Sequence, residues 1–154
     1  MKTLPALGAL LVLAAAAFAA TPAFADYDPP EAAAPAIETA KQQAKKDQRA
    51  VLLVFGADWC KDCRVLETEM AKPELAAQLA KRYQVVKVNV GRFDRNTDLA
   101  ERYGVPLKKG IPAVAVIAPD DKVLAATAAG ELASARSMSS EGIAGFLLGL
   151  PQAK

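Results

Sequence analysis

The sequence contains no histidine, and it contains only two cysteines. Without histidine, Ser-His and Cys-His catalytic pairs are excluded, as is a metal site built on imidazole. The two cysteines, Cys60 and Cys63, are three positions apart, so all thiol chemistry is confined to one tetrapeptide. The basic residues form no run and the net charge is only +2, which predicts no binding to nucleic acid or to a membrane surface.

A long apolar run occurs over residues 9–20, and it follows a positive charge at Lys2. Residues 23–25 (Ala-Phe-Ala) have the small-x-small pattern that a signal peptidase recognises. We therefore expect residues 1–25 to form a signal peptide that is cleaved after Ala25. Export would place the chain in the periplasm, where disulfides persist. An uncleaved membrane anchor is the alternative, although the run is short for a membrane span.

The rest of the chain has the composition of one globular domain. Apolar residues make up 53% of the sequence and charged residues 23%, which is typical of folded rather than disordered proteins. A length of 154 residues suits one core better than two. Residues 26–36 contain three prolines and are expected to form a loosely packed leader, so the folded domain is predicted over residues 37–154.

Apolar periodicity and turn residues divide this domain into helices and strands. Helices are predicted over residues 37–49, 59–70, 73–83, 96–103 and 139–150, and strands over residues 50–55, 85–90, 113–118 and 123–127. The order α-β-α-β-α-β-β-α, in which Pro73 interrupts the second helix, predicts an α/β fold with a central mixed four-stranded sheet flanked by helices. The first two strands should be parallel with a right-handed crossover, and the last two should form an antiparallel hairpin.

Cys60 and Cys63 lie where the first predicted strand gives way to a helix, for which Asp58 is the expected N-cap. A cysteine at a helix N-terminus has its pKa lowered, because the unpaired N–H groups and the macrodipole favour the reactive thiolate. Cys63 lies one turn later on the same face and can reach back to form a disulfide. We therefore expect Cys60 to attack disulfides and Cys63 to resolve the mixed disulfide that results.

Two other interpretations of the cysteine pair stay open on the residues alone. A zinc or iron–sulfur site needs two further ligands, which a second copy of the chain would have to share. A purely structural disulfide would close a loop of two intervening residues, which removes little chain entropy. The position after an aromatic residue, at a strand-to-helix junction, favours redox chemistry over both.

Three segments, VLLVFGADWCKDC, KVNV and GIPAVAVI, resemble the thioredoxin superfamily, and the resemblance extends over residues 51–150. The GRFDRN and GELASARSMS segments are similar, more narrowly, to exported bacterial thioredoxin-like proteins, some of which are labelled disulfide isomerases. The resemblance implies a thioredoxin-like fold and a protein-disulfide oxidoreductase, with Cys60 as the nucleophile and Cys63 as the resolving thiol. It implies no cofactor.

The resemblance also implies roles for three residues on the substrate side. Trp59 corresponds to the aromatic residue that covers the disulfide, the alternative being an ordinary core tryptophan. Pro112 corresponds to a cis-proline opposite the disulfide, and this proline also hinders metal capture by the two thiols. The backbone of Ile111 is expected to pair with the bound substrate chain.

The sequence departs from the family pattern six residues before Cys60. Thioredoxins often carry a buried aspartate there, which serves proton transfer to the resolving thiol, whereas this chain has Val54. Lys87 matches the lysine that accompanies that aspartate, and it is either part of the site or a solvated strand end. The nearest carboxylates in sequence are Asp58 and Asp62, each of which is also explained as a cap or a solvated charge.

The residues between the cysteines are expected to tune the nucleophile moderately. Lys61 favours the Cys60 thiolate and Asp62 opposes it, so the pKa of Cys60 should fall only in part. This favours a reduction potential toward the reducing end of the superfamily, and Ile111 resembles the residue of reductant members at its position.

The expected function is that of a periplasmic reductase or electron carrier that acts on protein disulfides and is re-reduced by a membrane partner of the Dsb type. Alternatives are a disulfide oxidase or isomerase of secreted proteins, and a non-catalytic binding module. Residues 130–139 include Glu131 and Arg136, and this polar segment is expected to be a surface connection or a loop that shapes the substrate face.

Overall fold

The structure is a computed structural model, and it describes residues 26–153. The predicted signal peptide, residues 1–25, lies outside the described residues. The strands are β1 (Ala50–Gly56), β2 (Tyr83–Asn89), β3 (Ala113–Ile117) and β4 (Val123–Ala126). The helices are α1 (Ala33–Asp47), α2 (Lys61–Met70), α3 (Pro73–Arg82), α4 (Thr97–Arg102) and α5 (Ser140–Gly149). This order confirms the predicted α/β arrangement.

The sheet is mixed and has four strands in the order β2-β1-β3-β4. Strand β1 pairs parallel with β2 and antiparallel with β3, and β3 pairs antiparallel with β4. All seven residues of β1 are buried, as expected for a central strand that is covered on both faces. Its sequence, AVLLVFG, is accordingly a continuous apolar run.

Helices cover both faces of the sheet. Alternate side chains of β1 point to opposite faces; one set packs with α1 and α4, and the other packs with α2, α3 and α5. Between α2 and α3 the chain breaks at Pro73, which occupies the first turn of α3, where its missing N–H removes no helical hydrogen bond. The carboxyl end of β1 and the amino end of α2 therefore meet at one edge of the domain.

The segment before α1 differs from its prediction. Helix α1 begins at Ala33 rather than at residue 37, and Tyr27 is only 6% exposed. The N–H of Tyr27 donates to the Asp58 carboxylate at 2.8 Å, and Asn89 Nδ2 donates to the carbonyl oxygen of Asp28 at 3.0 Å. The expected loose packing was therefore wrong, because these long-range contacts tie the segment to the edge of the domain that carries Cys60.

Within residues 26–153, no helix combines the length and the apolar character needed to cross a membrane.

Candidate active site

Cys60 and Cys63 form a disulfide at the N-terminus of α2, with their Cα atoms 5.2 Å apart. Cys60 is the N-cap of the helix, and its Sγ accepts a hydrogen bond from the backbone N–H of Cys63 at 3.1 Å. An N–H group directed at sulfur stabilises negative charge there, as does the positive end of the helix dipole. The geometry therefore favours Cys60 as the sulfur that carries the thiolate once the disulfide is reduced.

The predicted N-cap, Asp58, was wrong, because its side chain is engaged elsewhere. The Asp58 carboxylate accepts the N–H of Tyr27, and its carbonyl oxygen accepts Nε of Arg64 at 2.7 Å. Helix α2 consequently begins at Lys61. Asp58 thus holds the N-terminal segment against the loop that precedes the disulfide.

The loop before β3 lies against the nucleophilic sulfur. The peptide bond between Ile111 and Pro112 is cis, as expected. The carbonyl oxygen of Ile111 lies 3.6 Å from Sγ of Cys60, and both Ile111 and Pro112 are buried. The main chain that is expected to pair with substrate is therefore in direct contact with the disulfide.

Trp59 is not a core residue, since 47% of its surface is exposed. Its Nε1 donates to the carbonyl oxygen of Gly91 at 2.8 Å. Its ring meets that of Phe93 edge-on, with centroids 5.8 Å apart, and Phe93 is 42% exposed. The two rings form an exposed aromatic ridge next to Cys60, and such exposed apolar surface is typical of a site that binds another molecule.

A groove of about 900 Å³ begins at Phe93 and extends along α4 and the loop that leads to Gly110. Its lining is mixed, with apolar residues in the majority: Phe93, Thr97, Ala100, Glu101, Gly104, Val105, Pro106, Leu107, Lys108, Gly110 and Ala128. Gly110 directly precedes Ile111. The groove therefore leads from the aromatic ridge to the main chain beside the disulfide.

Asp62 links the active-site helix to residues 130–139. Its carboxylate accepts two hydrogen bonds from Arg136, one from the backbone N–H at 2.9 Å and one from the side-chain Nε at 3.1 Å. Partial burial opposes ionisation of Asp62, but these hydrogen bonds and the guanidinium charge outweigh it and lower the pKa of the carboxyl below its ordinary value. Leu132 and Ala135 of the same segment are fully buried. The segment is therefore packed against the site and is not a plain surface connection.

A second group of ionisable side chains surrounds Tyr27. Lys87 Nζ lies 3.2 Å from Oε1 of Glu67, and both side chains are 15% exposed. The same nitrogen lies 4.3 Å from the centre of the Tyr27 ring. Burial, and then the negative charge of Glu67, raise the pKa of Tyr27 far above its ordinary value. Lys87 is thus part of a partly buried polar cluster and is not a solvated strand end.

Residues 32–119 match the model of a family described as thioredoxin-like. The chain belongs to this family. A disulphide isomerase from Xylella fastidiosa Temecula1 is 45% identical in sequence, with a TM-score of 0.75, over 79% of this chain and 92% of that structure. Thioredoxin 1 of Synechococcus elongatus is 33% identical over 92 residues, which is 60% of this chain and 78% of that protein.

A third relative is much longer than this chain. Protein disulfide isomerase-like 2-2 of Oryza sativa subsp. japonica is 36% identical over 104 residues, or 68% of this chain, but the match spans only 26% of the rice protein. Membership of the thioredoxin-like family, together with the Cys60–Cys63 disulfide, identifies the protein as a protein-disulfide oxidoreductase.

The structure brings together most of the residues that the sequence singled out in this thioredoxin-like chain. Trp59, Ile111 and Pro112 adjoin the disulfide, and Asp62 lies beside it with its charge paired. Lys61, also predicted to tune the nucleophile, occupies the first position of α2 and is exposed. Among residues 26–153, the acidic side chains and cysteines form no cluster of three or more that could hold a metal ion.

Three residues of the site were missed by the sequence interpretation. Phe93 had a signal, since a single aromatic in a polar loop is unusual and merits attention. Glu67 also had one, because it follows Cys63 by four positions and therefore lies on the same face of α2. Tyr27 had none, because only the tertiary fold brings it to the disulfide.

Proposed function

We propose that this oxidoreductase is a periplasmic reductase or electron carrier that passes electrons from its Cys60–Cys63 dithiol to the disulfides of other proteins. The observation that carries the proposal is the modest support for charge at Cys60. Within the described residues, Sγ of Cys60 accepts one main-chain hydrogen bond, from Cys63. Strongly oxidising relatives of this kind stabilise the reduced thiolate much more heavily.

The charges next to the disulfide support the same direction of electron flow. Asp62 and Arg136 form an ion pair, so together they add little net charge near Cys60. Lys61 is exposed to solvent, where screening weakens its effect. A thiolate that is only moderately stabilised makes the disulfide less oxidising, because it lowers the free energy of the reduced form only a little.

The aromatic ridge and the groove suit an extended protein segment as substrate. Trp59 and Phe93 offer exposed rings, and the groove leads from them to Gly110. A substrate chain that lay along this path would meet the main chain at Ile111, whose carbonyl oxygen is in contact with Cys60. Main-chain pairing there would position a substrate disulfide against the nucleophile without requiring a particular sequence.

The signal-peptide pattern of residues 1–25 supports export, and an exported reductant needs a supply of electrons in an oxidising compartment. We therefore include in the proposal a membrane partner of the Dsb type that re-reduces the disulfide. A second candidate function, isomerisation of protein disulfides, is supported by the Xylella fastidiosa relative, which carries that name at 45% identity.

The deciding experiment is equilibration of the Cys60–Cys63 pair with glutathione. A potential between about −270 and −200 mV is expected for the reductase, whereas a value near about −120 mV would overturn it in favour of a disulfide oxidase. Reduction of insulin should depend on both cysteines. If the protein instead reactivates scrambled ribonuclease faster than it reduces insulin, the isomerase is the correct assignment.

A further inference from the structure

Two buried oxygen atoms, the phenolic oxygen of Tyr27 and Oε1 of Glu67, have no well-formed hydrogen bond to any residue in 26–153. Buried polar groups in folded proteins are nearly always hydrogen-bonded, so such atoms require a specific explanation. Both side chains surround Lys87, which contacts the Tyr27 ring and the Glu67 carboxylate. The two atoms therefore belong to one polar cluster rather than to two separate packing defects.

The Tyr27 hydroxyl is a close neighbour of the resolving sulfur. A Cβ atom built on Gly56 would lie 2.2 Å from the phenolic oxygen of Tyr27 and 3.0 Å from Sγ of Cys63. The oxygen and the sulfur therefore adjoin the same point of β1, and the total of the two distances limits their separation to about 5 Å. The absence of a side chain at Gly56 leaves room for the Tyr27 hydroxyl beside the sulfur.

Glu67 reaches the cluster from the helix that carries the cysteines. It follows Cys63 by four positions, so the carboxylate and the thiol project from the same face of α2. Oε1 of Glu67 forms an ion pair with Nζ of Lys87 at 3.2 Å. The remaining charged group that acts on Tyr27 is Asp58, which faces it from the loop before α2.

We propose that Glu67 is the proton acceptor for the Cys63 thiol and that the hydroxyl of Tyr27 relays the proton. Tyr27 suits a relay because its hydroxyl stays protonated at neutral pH, so it accepts one proton only as it donates another. The carboxylate then comes from α2, whereas Val54 occupies the strand position from which the family pattern would supply it.

The step begins with a mixed disulfide between Cys60 and a substrate sulfur. The thiol proton of Cys63 passes to the Tyr27 oxygen while the phenolic proton passes to the Glu67 carboxylate. The Cys63 thiolate attacks Sγ of Cys60, so the Cys60–Cys63 bond forms and the bond from Cys60 to the substrate sulfur breaks. The substrate leaves as a thiolate that takes a proton from solvent, and the two electrons of the dithiol end on the substrate.

The test separates the attack by Cys60 from the resolution by Cys63. Reduced protein reacts with 5,5′-dithiobis(2-nitrobenzoate) in two phases, each of which releases one coloured thiolate, first by attack and then by resolution. Glu67→Gln should slow the second phase by roughly 100-fold near neutral pH, which is the lower end of what general base catalysis contributes. Tyr27→Phe should slow the same phase to a smaller extent, since a water molecule can replace the relay.

The pH dependence distinguishes a proton acceptor from a structural role. The deficit of Glu67→Gln should shrink as the pH approaches about 8.5, where a free thiol ionises without assistance. The first phase should stay within about twofold of the wild-type rate, and this can be measured alone in the Cys63→Ser background. A purely structural defect would slow both phases at every pH.

Two variants serve as matched controls. Glu69→Gln removes another α2 carboxylate that is paired with a lysine, Lys72, and Tyr103→Phe removes another buried phenol, whose hydroxyl donates to Asp121. Neither should change the second phase. If the Glu67 and Tyr27 variants resolve at the wild-type rate throughout the pH range, or if both phases slow together, the proposal is overturned.

A measurement on the wild-type protein keeps the proposal testable should the Glu67 variant fail to fold. In the reduced protein, the ¹³C resonances of Glu67 Cδ and Cys63 Cβ should show a shared inflection with pH, as coupled groups do. Independent titration of the two would contradict the relay. The relay rests only on the thiol–disulfide chemistry and not on the direction of electron flow. An oxidising potential would refute the reductase, whereas the relay is tested by the rate of the second phase alone.

Discussion

At the scale of single residues, the two sulfurs of the disulfide differ in their surroundings. Sγ of Cys60 caps α2 and accepts an N–H, whereas Cys63 lies within the first turn and is fully buried. Cys63→Ser should therefore accumulate mixed disulfides between Cys60 and partner proteins, because the attack proceeds and the resolution cannot. Cys60→Ser should accumulate none. The measurement is non-reducing electrophoresis of both variants after expression, and equal trapping by the two would show that the roles are assigned wrongly.

Gly56 offers a second residue-scale prediction. In Gly56→Ala, the new methyl group would overlap the phenolic oxygen of Tyr27 and press on Sγ of Cys63, so we expect a loss of about 1–3 kcal/mol in the free energy of unfolding. Adding Tyr27→Phe should restore part of that loss, since the overlapping oxygen is removed. Gly145→Ala in α5 is the matched control: nothing lies within 4 Å of its Cβ, and it should be neutral or slightly stabilising. Equal urea midpoints for the wild-type protein, Gly56→Ala and Gly145→Ala would contradict the tight packing around Gly56.

At the scale of helices and strands, the sequence predicted an element correctly where its signal lies within one segment. The apolar run of β1 and the break at Pro73 are both visible in the sequence, and the structure confirms them. The start of α2 was missed because aspartate is a favourable N-cap residue. In the structure the Asp58 carboxylate instead accepts the backbone N–H of Tyr27, which is distant in sequence. The earlier start of α1 was missed for the same reason, since its stabilising contacts are tertiary.

The contact between α2 and residues 130–139 predicts a pH-dependent stability. The pKa of Asp62 is lowered in the folded protein, so the ion pair with Arg136 stabilises the fold above the unfolded pKa, about 3.9, and this contribution is lost as the pH falls through the folded value. Arg136 is exposed, so screening limits the effect to about 1 kcal/mol or less. Asp62→Asn should remove that part of the pH dependence in urea unfolding between neutral and acidic pH.

Arg136→Ala provides the check on this prediction. It should cost about as much stability at neutral pH as Asp62→Asn, and the double variant should cost little more than either single variant, because both remove the same pair. Additive losses would indicate that the two side chains stabilise the protein separately.

At the scale of the whole molecule, five separate parts of the chain meet at the carboxyl end of β1. They are the segment before α1, the start of α2, the loop with Phe93, the loop with Ile111, and residues 130–139. The cysteines and Pro112 could be predicted because each belongs to a short motif with fixed spacing. The position of Tyr27 could not, because it depends on how distant segments pack. Glu67 and Phe93 had local signals in the sequence, and these were overlooked.

The segment before α1 provides the prediction that tests this arrangement as a whole. If export cleaves the chain after Ala25, Tyr27 becomes the second residue of the mature protein, and N-terminal sequencing of the exported protein should begin at Asp26. A chain that instead begins at residue 30 would lack the ring that packs over Lys87 and the N–H that binds Asp58. We expect it to lose about 2–3 kcal/mol of unfolding free energy, which is the approximate effect of exposing one large buried side chain.

Tyr27→Ala, made in the chain that begins at Asp26, tests whether the Tyr27 side chain is the cause of this loss. If the side chain of Tyr27 is responsible, the substitution and the truncation should lower the urea midpoint by similar amounts, and both should slow the resolution of mixed disulfides by Cys63. A truncated chain with wild-type stability and a wild-type resolution rate would refute this arrangement, since the segment would then contribute neither to the fold nor to the chemistry. A truncated chain that is stable but slow would separate the two roles, and it would assign the Tyr27 hydroxyl to the reaction rather than to the packing of the domain.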